Sequence, residues 1–188
     1  MLTIGAMPLH ACAKDEKATP VRVLIRTDAG DLELELDPAK APRTVANFLK
    51  YVDEKLYDGG RFHRTVTPKN QPDNKIKIEV IQAGINPDKK NLPPIKLEQT
   101  RDTGILHKDG TISMARDEPD TATGDFFICI GDQPELDFGG KRNPDGQGFA
   151  AFGKVMKGMD VVKKIQASKA KGQTLKPAIS IKRVSRIK

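Results

Sequence analysis

Helical periodicity surfaces only twice in this chain, and elsewhere the apolar pattern is that of short strands. Between residues 41 and 55, Val45, Phe48, Leu49 and Val52 stand at i, i+3, i+4 and i+7, behind a Pro42 suited to a first helical turn. A shorter stretch, 159–167, repeats the pattern through Val161, Val162 and Ile165. Two helices so far apart, with strand patterns between and around them, do not make the alternating strand–helix repeat of a parallel sheet. A mainly β fold closed as an antiparallel barrel fits better.

The strand signals are local. Residues 21–27 and 31–37 predict a hairpin, since Leu32, Leu34 and Leu36 alternate with Glu33 and Glu35 and Asp28-Ala29-Gly30 supplies the turn. Further strands are predicted at 61–66, 95–98, 111–115, 126–130, 149–155 and 179–187. Residues 67–77, with Pro68, Pro72 and Asn74, predict an exposed loop, and the Pro-rich 86–94 a second one.

A length of 188 residues fits one domain, assigned to 20–188, with 1–19 a leader or disordered tail. No apolar run approaches the ~18 to 20 residues of a membrane-spanning helix. Of the net charge of +7, residues 154–188 hold far more than their share: their many Lys and Arg face Asp160 alone. That segment has no aromatic residue to stack on bases, so a solvated basic face is expected and no nucleic-acid partner. Cys12 and Cys129 are too few for a disulfide framework or a metal cluster, and Cys129 reads as a small strand residue.

Within 61–66, Arg61-Phe62-His63-Arg64-Thr65-Val66 alternates as a half-buried strand does, with Phe62, Arg64 and Val66 expected on one face. A guanidinium among apolar side chains is an exposed edge position, a structural ion pair, or a planar donor held for a substrate. The hexapeptide alone leaves all three open. In the 126–130 strand, Asp125, Phe127 and Cys129 share one face, while Phe126, Ile128 and Ile130 form the more continuous core face, which frees Phe127 to line a site. His63 and His107 stand in no nucleophile or metal-ligand spacing and read as structural, so no metal site is expected.

Phe62-His63-Arg64, Val80-Ile81-Gln82-Ala83-Gly84, Gly110 to Arg116, Gly124 to Ile130 and Phe149 to Val155, in this order, resemble the cyclophilins, the family of peptidyl-prolyl cis-trans isomerases. The resemblance runs from about Val21 to the C-terminus. It implies a closed antiparallel eight-stranded barrel with a helix over each open end. It also implies a monomeric enzyme that rotates X-Pro bonds in proline-containing polypeptides without a cofactor. Arg64 then becomes the catalytic donor and Gln82 the residue that orients it. Phe62, Val80, Phe127, Leu136 and Phe149 fall to the apolar substrate pocket, and Ala115 and Arg116 to a stretch that holds the peptide through its backbone.

Three acidic residues depart from the family pattern. Glu79 stands in place of a pocket phenylalanine, Asp125 in place of a glutamine among the substrate-binding residues, and Glu135 in place of a tryptophan. The expectation is an acidic rim that favours basic residues beside the proline. The alternative is a proline-peptide-binding module with little catalysis. Residues 67–77 form an insertion relative to the family, which leaves Glu79's position open and makes Ile78 a substitute for the missing apolar side chain. In the leader, Leu9-His10-Ala11-Cys12 resembles a bacterial lipoprotein box. A periplasmic or cell-envelope location with a lipid anchor on Cys12, and a cytoplasmic one with an uncleaved tail, both stay open.

Overall fold

The computed structural model describes residues 19–187, so the expectations for the leader and Cys12 lie outside it. In chain order the elements are β1 (Val21–Thr27), β2 (Asp31–Leu36), α1 (Pro42–Asp53), β3 (Arg61–Val66), β4 (Val80–Gly84), α2 (Thr100–Thr103), β5 (Thr111–Met114), β6 (Phe126–Cys129), β7 (Ala150–Lys157), α3 (Met159–Gln166), β8 (Ala170–Lys171) and β9 (Thr174–Ile187). Eight strands close a ring in the order β1-β2-β7-β5-β6-β4-β3-β9, and β9 returns to β1. The ninth strand, β8, pairs only with the start of β9. Every pairing is antiparallel.

The predicted hairpin forms because its alternation fits a wall with one dry face. Leu32, Leu34 and Leu36 are wholly buried, while Glu33 and Glu35 on the outside accept hydrogen bonds from Arg22 of β1 at 2.7 and 3.2 Å. The turn closes through Thr27, whose N–H and hydroxyl both donate to the Gly30 carbonyl. Inside the barrel, Phe48 of α1 packs against Tyr57, Phe126 and Phe152 at ring separations of 5.1, 5.5 and 5.2 Å. Val162 and Ile165 of α3 join the same interior. Gly158 opens α3 at φ 98°, where a Cβ would meet the Asp31 carbonyl at 2.5 Å, so only glycine fits that turn.

The structure departs from the sequence reading in four places. Residues 95–98 are not a strand: they contribute one bridge, Ile95 to Ala122. Glu98 instead reaches the first turn of α1, where its carboxylate accepts from the Arg43 and Thr44 N–H groups at 3.1 and 2.7 Å. A carboxylate is favoured at that positive helix end, and α1 has no side-chain cap of its own. A single-turn helix, α2, follows, so three helices stand beside the barrel rather than two. β9 begins at Thr174 rather than 179, with Pro177 breaking the apolar pattern that would have revealed it. Lastly, the 67–77 loop is anchored: it opens with a short 3-10 turn, Pro68–Asn70, and buries Gln71.

Candidate active site

A bulge in β3 sets the site. Phe62 lies opposite Ala83 and Arg64 opposite Gln82, so two residues separate on β3 what one separates on β4, and His63 is the extra one. The bulge turns Phe62 into the barrel interior, where it is wholly buried, and leaves Arg64 and Val66 on the outer face. This corrects two expectations: Phe62 does not share a face with Arg64, and it does not line the cleft.

On that outer face Val80 and Gln82 of β4 stand opposite Cys129 and Phe127 of β6. Val66, Ile78, Val80, Phe127, Cys129 and Leu136 form a second apolar cluster, separate from the interior, with Ala115 and Phe149 packed on it. An open cleft of about 460 Å³ lies over this patch. Of the residues expected at the site, Arg64, Val80, Gln82, Ala115, Arg116, Asp125, Phe127, Leu136 and Phe149 all line it.

The floor is stiff. Phe127 meets Phe149 edge-on at 5.3 Å and stacks on His107 at 5.8 Å. His107 is held at both ring nitrogens, by Asp137 at 2.7 Å and by the Ser113 hydroxyl at 2.9 Å. An Asp-His-Ser succession invites comparison with a nucleophile. Here Ser113 is wholly buried and His107 nearly so, beneath the floor, so the chain supports Phe127 and meets no substrate.

Arg64 is held from two sides by neutral amides. Its Nη1 donates to Gln82 Oε1 at 2.9 Å, and its Nε and Nη2 both donate to Gln173 Oε1 at 2.9 and 2.6 Å. Each amide is fixed in turn. Gln82 Nε2 donates to Asp125 at 3.2 Å, and Gln173 Nε2 donates to the Asn70 carbonyl at 3.1 Å. A guanidinium has five N–H donors, so one on Nη1 and one on Nη2 stay free. Burial lowers the Arg64 pKa from the ordinary arginine value, which leaves the group charged at neutral pH.

The family model for cyclophilin type peptidyl-prolyl cis-trans isomerase/CLD matches residues 22–186. The chain is a cyclophilin. It is 41% identical over 148 residues to peptidyl-prolyl cis-trans isomerase A of Dickeya dadantii, covering 78% of this chain and 72% of that one. It is 36% identical over 148 residues to peptidyl-prolyl cis-trans isomerase B of Escherichia coli, covering 77% and 83%. The crystal structure of a Cryptosporidium parvum cyclophilin shares the fold with a TM-score of 0.73 at 22% identity, over 90% of this chain and 99% of that one.

The acidic rim expected of this cyclophilin is largely absent. Asp125 lines the cleft, but Glu79 and Glu135 do not. Glu79 accepts from Gln166 of α3 at 3.0 Å, and Glu135 from the Lys141 N–H at 2.8 Å. Ile78 takes the apolar place beside Val80. Arg116 does enter the lining, yet its charge is spent within the protein, on both oxygens of Asp145 and on the Gly148 carbonyl. It thereby pins the 143–148 loop and sits over the Phe149 ring at 5.2 Å.

Several residues of this cyclophilin's site escaped the sequence reading, among them the polar Asn91, Asp117, Thr121, Thr123 and Asn143 of the cleft wall, and two that bear on its charge. Gln173 comes from the β8–β9 turn, and nothing in its neighbourhood marks it. Arg142 lines the cleft from the loop between Leu136 and Phe149. Its signal was its position, in a Gly- and Pro-rich loop flanked by two pocket residues.

Proposed function

We infer that Arg64 is the transition-state donor of this peptidyl-prolyl cis-trans isomerase, and that the cleft beside it holds an X-Pro segment of a polypeptide. Rotation about the X-Pro amide must cross ~18 to 20 kcal/mol because it breaks the nitrogen's resonance with the carbonyl. At the twisted state the nitrogen is pyramidal and accepts a hydrogen bond that the planar ground state does not. A donor fixed where that lone pair develops lowers the barrier without binding the ground state more tightly.

The observation that carries this reading is the clamp on Arg64. Gln82 and Gln173 hold its plane by three N–H groups, and the remaining two need no reorganisation to meet a substrate. Phe127, Leu136, Val80, Ile78 and Phe149 offer an apolar seat for the proline ring beside it. The Cryptosporidium parvum cyclophilin that shares this fold has also been crystallised in the presence of the dipeptide Ala-Pro. Two of the three acidic departures lie outside the cleft, which leaves Asp125 alone as a reason for expecting weaker catalysis. Arg64→Ala should lower kcat/KM in a protease-coupled assay by at least ~100-fold, in line with the ~2.7 to 4 kcal/mol lost with one such donor elsewhere. A folded Arg64→Ala protein as fast as wild type would overturn the assignment.

A monomer is proposed on the closed ring, which leaves only the short β8 as a free edge among the described residues. Residence in the cell envelope with a lipid on Cys12 rests on the Leu9-His10-Ala11-Cys12 stretch alone. Fractionation of the full chain and of its Cys12→Ser variant tests it. Equal membrane association of the two would sink the anchor.

A further inference from the structure

Three arginines line the cleft, and only one of them has a carboxylate. Arg116 is paired with Asp145. Arg64 donates to two glutamines. Arg142 Nη1 donates to Gln71 Oε1 at 2.9 Å and to the Ile76 carbonyl at 2.7 Å. Among the described residues, neither Arg64 nor Arg142 forms an ion pair, and the Nε and Nη2 groups of Arg142 have no protein acceptor.

Both guanidiniums are half-buried, and burial lowers the pKa of each, with Arg64 acting further on Arg142. Two like charges facing one cleft, with no carboxylate in contact with either, are costly unless an anion joins them. Isomerisation itself asks for a single donor, so Arg142 is surplus to it.

The position of Arg142 is built rather than incidental. Gln71, whose oxygen receives it, is almost wholly buried. That amide is locked by its own donations to the Thr67 and Ile78 carbonyls at 2.7 and 2.8 Å. Residues 67–77 thus hold one end of the cleft. Asp125 stands elsewhere along the cleft, accepting from Gln82 Nε2 of β4, while Arg142 donates to the Ile76 carbonyl ahead of that strand. The cleft is therefore uneven in charge: Arg142 enters from the side of residues 67–77, and the carboxylates of Asp117 and Asp125 line it elsewhere.

We propose that Arg142, in the same cleft as Arg64, forms an anion subsite that takes the Asp or Glu side chain of a residue neighbouring the isomerising proline. This rests on the isomerase reading of the cleft, and it reverses the preference for basic neighbours that the sequence implied. A carboxylate held by the free N–H groups of Arg142 offsets the repulsion between the two guanidiniums and fixes the peptide's direction along the cleft.

The test compares peptides with Glu, Gln or Lys immediately before or immediately after the proline. At one of the two positions, wild-type kcat/KM should favour Glu over Lys by about five- to tenfold at low salt, and by less than about twofold at 1 M salt, where the Debye length is ~3 Å. Arg142→Lys should keep most of the preference, Arg142→Gln should erase it, and Arg142→Glu should invert it. A strut that merely ties residues 67–77 to the domain would behave differently: Arg142→Gln would then slow all peptides alike and leave the Glu-to-Lys ratio unchanged. That result, or wild-type ratios within twofold at both positions, would overturn the subsite. Affinities of the same peptides decide the matter independently of turnover. Absence of isomerisation for every peptide would count against the isomerase reading, while a charge preference in binding would still support the subsite.

Discussion

Phe126 and Phe127 are neighbours in one strand and belong to different worlds. Phe126 points into the barrel, wholly buried, with edge-on contacts to Phe48, Tyr57 and Phe62. Phe127 points outward to the small cluster under the cleft, between Phe149 and His107. The interior is made almost wholly of apolar side chains drawn from the strands, α1 and α3. The outer patch is a thin apolar floor, with polar walls supplied by loops. The inner region holds the fold together, and the outer one holds a substrate.

The sharpest way to break that comparison is to truncate the two rings. Phe126→Ala leaves a sealed void among aromatic rings, so it should cost about 3–5 kcal/mol in denaturant unfolding. Phe127→Ala opens its void to the cleft, where water enters. Only the transfer term of about 1.5–3 kcal/mol then remains. Its larger effect should be on catalysis, with kcat/KM down more than ~10-fold. Equal losses of stability, or an unchanged rate for Phe127→Ala, would show that the two faces are not divided in this way.

The division also explains what the sequence disclosed. The interior follows from periodicity: a period of two in β2 and β6, and 3.6 in α1 and α3, each with one dry face to satisfy. The outer floor was legible by parity for Phe127 and Cys129, and by family motif for Arg64, Gln82 and Leu136. What stayed hidden were features that one position cannot encode. The bulge at His63 inverts the parity of Phe62, and no residue in Arg61-Phe62-His63-Arg64 announces it. Glu98 leaves a strand-like stretch to serve the distant first turn of α1. Gln173 meets Arg64 and Arg142 lines the cleft from loops far along the chain, and their roles depend on partners, Asn70 and Gln71, that only the folded insertion supplies.

Gln173 gives a finer test of the outer region. It accepts two of the three N–H groups that Arg64 spends within the protein, so Gln173→Ala should free the guanidinium to rotate. Stability should fall by about 1 kcal/mol, because donors of the half-buried Arg64 and the Asn70 carbonyl lose a partner. The rate should fall about tenfold, equivalent to ~1.4 kcal/mol of orientation lost at the transition state. A rate within twofold of wild type would mean that Gln82 alone suffices to hold Arg64.

The smallest expected effect belongs to Asp125, the one acidic departure that does face the cleft. Its carboxylate does not pair with Arg64. It accepts from Gln82 Nε2, and Gln82 Oε1 accepts from Arg64, so its influence passes through one amide. Two consequences oppose each other. The hydrogen bond keeps Gln82 oriented with its oxygen toward Arg64, which aids catalysis. The negative charge steadies the cation in the ground state, which hinders it. Asp125→Gln can keep an acceptor for Gln82 while removing the charge, so only the second consequence is lost. With a neutral peptide, kcat/KM should rise by up to about threefold, under ~0.7 kcal/mol. Asp125→Ala removes both, lets the Gln82 amide turn over, and should lower the rate instead. Measuring the two variants side by side separates orientation from charge. If both lie below wild type by the same factor, the charge has no effect at Arg64 and Asp125 serves only to hold Gln82.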